Sequence, residues 1–175
     1  MMTTDLSYPI GRFSGEQLST ANRSRILLEI AELPGRLRDA IEGLSESQLD
    51  TTYRPEGWTV RQVVHHLADA HLHSYIRTRA ALTEIEPTIM AFDENQYAKL
   101  KDARSGPIEP SLLILDGVHS RWSQVLESMT EAEWDRKFIH PVRGALTVRT
   151  HIPIYAWHGL HHTAHITELR KRMAW

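Results

Sequence analysis

The sequence predicts an all-α protein: a four-helix bundle with short extra helices and one small β-hairpin. Three observations carry this. Four long segments repeat apolar residues at helical spacing, short turn-rich connectors separate them, and only FIHPVRGALTV reads as paired strands. The 175 residues, 41% hydrophobic and 24% charged, suit one domain spanning 1–175 that buries a core without disulfide or structural metal.

The elements follow in chain order. Residues 1–18 are expected to be irregular, broken by Pro9, Gly11 and Gly15. From about Ser19 to Ile41 the series Ile26, Ile30, Leu33, Leu37, Ile41 marks the first long helix, with a kink or break expected at Pro34 and a stop at Gly43. Ser45 and Gln48 form a capping box for a short helix ending near Leu49. Thr59 and Gln62 form another, flanked by Trp58 and Val63 as a hydrophobic staple, and open a long helix to about Glu84.

Short helical pieces are expected near Asp93–Lys101, and the loop SGPIEP follows. A third long helix spans about Ser111–Met129, and Thr130 caps a short one through Trp134. After the hairpin, the last long helix starts between Thr147 and Pro153, either close to Pro153, because proline belongs in a first turn, or with a distortion there, and ends near Met173.

Composition excludes several classes of function. Twenty basic and 22 acidic residues leave a net charge of −2, with no basic surface for nucleic acid. The basic run Arg170, Lys171, Arg172 suits a helix C-terminus. No apolar run reaches the length of a membrane span, and MMTTDLSYPIGRF lacks the apolar stretch of a secretory signal. Cysteine is absent, which removes thiolate ligands and a cysteine nucleophile and fits a reducing compartment. A cytoplasmic protein is expected.

Histidine stands out. There are eleven, nine of them in two windows: His65, His66, His71, His73, and His151, His158, His161, His162, His165. On the last helix His158, His162 and His165 fall within about 60° of each other, on the face that also carries Leu169. His161 sits at the edge of that face. On the earlier helix, the stripe Val60, Val63, Leu67, Ala70 has His66 at its margin and His73 two turns on. His65 is expected in solvent.

A lone inward histidine is ordinarily a hydrogen-bonded core residue. Three on one face leave unpaired nitrogens, each costing about 1–3 kcal/mol when buried, and a divalent cation removes that cost by binding neutral imidazole. The i, i+4 pair His158/His162 supplies two ligands, and His66 is the natural third. Three imidazoles and an open position suit catalytic zinc, though nickel, copper or iron accept the same shell.

Gly159 stands where a zincin carries its glutamate, so HGLHH is not that motif. No nucleophile elbow, Walker loop or dinucleotide fingerprint is present. Asp69, at i+3 from His66, reads either as a carboxylate orienting a ligand imidazole or as surface charge. His161 and His165 read as proton relays or as packed residues. Glu131 and Glu133 read as surface charge, and Trp122, Trp134 and Trp157 as packing residues.

The segments GWTVRQVVHHLADAH and YAWHGLHHTAHITELRKRMAW resemble the two signature segments of YfiT-type proteins in the DinB superfamily. LSYPIG, SQLDTTYRPEGW and HSRW extend the resemblance over nearly the whole chain. It implies a DinB-like bundle, a homodimer, and one zinc or nickel ion held by His66, the histidine before Leu-Ala-Asp, with His158 and His162. Proteins of this type carry histidine where this chain has Leu160, which speaks against that position as a ligand. The activity implied is metal-dependent hydrolysis of a small-molecule substrate through an activated water. The alternatives are transfer of a low-molecular-weight thiol to electrophiles, and a non-catalytic metal-binding module.

Overall fold

The computed structural model describes residues 5–175, so the expectation of an irregular start at residues 1–4 lies outside it. The long helices are α1 (Arg23–Ile41), α3 (Val60–Thr83), α6 (Glu109–Ser128) and α8 (Val148–Met173). Between them lie the short helices α2 (Glu46–Leu49), α4 (Glu94–Tyr97), α5 (Lys101–Ser105) and α7 (Glu131–Trp134). Strands β1 (Lys137–His140) and β2 (Gly144–Thr147) form the hairpin.

The four long helices close a ring in which α1 and α3 each pack against both α6 and α8. One half of the core gathers Leu33, Leu37, Val60, Val64, Leu67, Leu115 and Ile166. The other gathers Ile26, Ile30, Trp122, Trp134, Phe138 and Ile152. No helix among the described residues is long and apolar enough to cross a membrane.

Local chemistry sets the boundaries. Both capping boxes form: Ser45 Oγ accepts from the Gln48 backbone and Thr59 Oγ1 from the Gln62 backbone, and each glutamine returns a bond to its cap. Thr59 Oγ1 anchors the α3 N-terminus together with Gln62, and α3 carries His66. Thr59→Ala is expected to cost about 1 kcal/mol, read as a lower urea midpoint with unchanged slope.

The α6 helix begins at Glu109, earlier than expected, with Pro110 in its first turn, where a missing N–H is harmless. The hairpin pairs Lys137 with Thr147 through His140 with Gly144, whose φ of 76° only glycine adopts freely. At the far end Arg170 donates to the Ala40 and Glu42 carbonyls, placing a cation on the open end of α1.

The expected break at Pro34 and the expected start of the last helix close to Pro153 are corrected. The α1 helix runs through Pro34 without interruption, and α8 starts at Val148 under a Thr147–Thr150 capping box, with Pro153 inside it. In each case the carbonyl one turn back has lost its helical N–H partner and receives another donor. Arg149 O accepts from the Leu18 backbone N–H, and Ile30 O accepts from His119 Nδ1 at 2.6 Å.

The expectation of a solvated His65 is also corrected. The chain from α5 into α6 covers that side of α3, so His65 is buried with Nδ1 2.7 Å from Ser111 Oγ. Glu131 pairs with Arg23 and Arg149 at the surface, as expected of surface charge. Trp122 and Trp134 are fully buried.

Candidate metal centre

His66, from the second turn of α3, meets His158 and His162 from α8. Each offers one ring nitrogen, and the three nitrogens lie within 4.8 Å of one another. His66 Nε2 and His158 Nε2 are 3.1 Å apart. A tetrahedral ion with bonds of about 2.0–2.1 Å holds its ligand nitrogens about 3.3 Å apart, so this pair is already spaced as a ligand edge. Burial is the main force keeping the rings neutral. It pushes His66 down to about 4 and His158 and His162 well below the ordinary imidazole value, with neighbouring histidines adding to the shift.

Behind His158 runs a buried histidine chain with a defined polarity. The Ile30 carbonyl can only accept, so His119 carries its proton on Nδ1. His119 is held neutral, at about 4, chiefly by burial, so its Nε2 accepts from His71 Nδ1 at 3.1 Å. His71 Nε2 then accepts from His158 Nδ1 at 3.2 Å. The last step leaves His158 Nε2 without a proton and facing His66, which is the state a metal needs.

A shorter chain backs His162. Ser7 O accepts from His165 Nε2 at 3.3 Å, and His165 Nδ1 accepts from His162 Nδ1 at 3.4 Å, leaving His162 Nε2 as the free acceptor. Pro34 underlies the first chain, because an N–H at position 34 would compete for the Ile30 carbonyl.

His71 and His119 were not assigned a role from the sequence. His71 follows Leu67 by one turn on the inner face of α3, a signal that was available. His119 becomes meaningful only once α1 and α6 are side by side. Asp69 is half-buried, makes no hydrogen bond among the described residues, and is raised to about 6 by burial and by Asp102, so it does not orient His66. His73 stacks on Phe92, away from the cluster. His161 stacks on Trp157, and its Nδ1 has no partner. His161, His162 and His165 also lie within 4.8 Å of one another, but all three stand on α8 alone.

The cluster opens onto a cavity of about 610 Å³, whose walls include Trp58, Tyr155, Arg77, His140 and Arg143. That volume falls in the range of small-molecule sites.

The family model described as the DinB superfamily matches residues 29–166. The chain belongs to the DinB superfamily. Within it, the chain is 43% identical over 177 residues to a Bacillus subtilis protein named "Putative metal-dependent hydrolase YfiT", covering 100% of this chain and 99% of that protein. It is 49% identical over 179 residues to a Geobacillus thermodenitrificans protein of the same description, covering 100% of both. A solved structure of Bacillus subtilis YfiT, described as a four-helix bundle of unusual topology, matches this DinB-superfamily fold with a TM-score of 0.93. The match spans 98% of this chain and 99% of that one, at 43% identity.

Proposed function

We propose that His66, His158 and His162 hold one divalent ion, zinc or nickel, and that the site hydrolyses a small-molecule substrate. The observation that supports this best is the convergence of three neutral imidazoles from two helices at a cavity wall, with one ligand edge already at 3.1 Å. The descriptions of the relatives as metal-dependent hydrolases agree with it.

When bound, such an ion supplies Lewis acidity, making a water acidic near neutral pH or polarising an acyl oxygen. The protein does the rest. His158 and His162 present unprotonated Nε2 atoms because each keeps its proton on Nδ1 and donates it in a hydrogen bond, to His71 and to His165. Trp58 lies beside His66, with ring centroids 4.7 Å apart, and shields that side from water. Three histidine ligands at the cavity wall would leave such an ion accessible to a molecule in the cavity.

A second reading, transfer of a low-molecular-weight thiol, would use the same three histidines and the same cavity. The test is metal analysis of purified protein followed by a hydrolysis screen with and without chelator and thiol. One equivalent of metal and chelator-sensitive turnover without thiol are expected. Strict dependence on thiol would replace hydrolysis with transfer, and protein that cannot be loaded above trace metal would overturn both.

A further inference from the structure

Arg77 projects from α3 and is only 6% exposed. One Nη donates to Tyr155 Oη at 3.1 Å and the other to the Met90 carbonyl at 2.8 Å, while Nε has no partner. Among the described residues no carboxylate lies within salt-bridge distance of it, although Arg61, equally deep on the same helix, pairs with both Glu46 and Asp50. A buried guanidinium carries a desolvation cost that neutral acceptors only partly offset. Its location accounts for the missing partner, because Arg77 lines the same cavity as the histidine cluster, as do Arg143, His140 and Glu94. Tyr155 links the two regions: its hydroxyl accepts from Arg77, and its ring centroid lies 5.6 Å from that of His158.

We infer that Arg77, with Arg143 at its exposed edge, is a carboxylate-binding subsite, so that the substrate is a small molecule anchored by a carboxylate with its reacting group at the histidines. This rests on reading the cavity as a substrate site. The planar fork of arginine matches a carboxylate. A carboxylate balances the one buried charge that lacks a partner, and the test below separates it from phosphate, which Arg77 and Arg143 together could also balance.

The test compares 4-phenylbutyrate with its neutral amide, 4-phenylbutyramide, by calorimetry on full-length protein kept in chelator. Without the ion, failure here leaves the metal reading intact, and failure of metal loading leaves this result standing. The acid is expected to bind at least tenfold more tightly than the amide. Arg77→Met should reduce that preference to within twofold, Arg77→Lys should keep part of it, and Arg143→Ala should reduce it less. Equal binding of acid and amide by the wild-type chain would overturn the proposal even if Arg77→Met fails to fold. Inorganic phosphate displacing the acid at lower concentration than acetate does would overturn the choice of carboxylate.

Discussion

Replacing His158 with alanine is expected to abolish stoichiometric metal binding, while replacing His119, which touches no ligand atom, weakens binding by about 10–100-fold. The first effect is direct. His158 is the ring that faces His66 at 3.1 Å, and the two nitrogens left cannot hold an ion tightly. The second passes through two hydrogen bonds. Without His119, His71 Nδ1 loses its acceptor and His71 can adopt either tautomer. When the proton moves to His71 Nε2, His158 Nδ1 has no acceptor, and His158 Nε2 becomes protonated for part of the time.

His119→Phe keeps the ring volume and removes both nitrogens. His119→Asn restores a donor towards Ile30 and recovers part of the loss if its amide oxygen can reach His71. Competition with a chromophoric chelator gives the constants, and ring-nitrogen chemical shifts of the metal-free protein report the tautomer of His158 independently. Unchanged affinity and unchanged shifts in His119→Phe would refute the relay. Metal content in His158→Ala equal to wild type would refute the site.

Much of this was legible in the sequence because its signals are local. The capping boxes at Ser45 and Thr59 mark helix starts within four residues, and His158/His162 need only the helical period to share a face. Signals that depend on which helices become neighbours were hidden. His65 lies away from the stripe on an isolated helix, yet α6 brings Ser111 against it. Pro153 argues for a later start to α8 until Leu18 is found on the Arg149 carbonyl, and Pro34 argues for a break in α1 until His119 is found on Ile30. A helix-breaking residue in the pattern and an acceptor for a distant side chain are the same feature at two scales. Proline inside a helix frees a backbone carbonyl, and a bundle built around histidines has a use for it.

Buried neutral histidines also make the metal-free protein sensitive to acid. Burial is the main cause holding His119 at about 4, and burial first, then Arg77, holds His151 at about 3. In the unfolded chain both titrate near 6.5. Above that pH neither state takes up a proton and stability is full. Below it the unfolded chain gains protons that the folded chain refuses, so stability falls with pH until the folded values are reached. Between pH 6.5 and pH 5 each such group costs about 2 kcal/mol. His66, also near 4, adds to the loss. Asp69, raised to about 6, works in the opposite direction, as a single half-buried carboxyl against several buried imidazoles.

Against a typical total of about 5–15 kcal/mol, the urea midpoint of chelated protein should fall by at least a third from pH 7.5 to pH 5.0. A bound divalent ion should raise the midpoint at pH 7.5 and raise it less at pH 5.0, where it must compete with protons for every ligand, so the fall should be steeper in metal-loaded protein. Midpoints that stay level across this range would show that these rings are not held neutral. The polarity assigned to the chain from Ile30 to His158 would then have no basis.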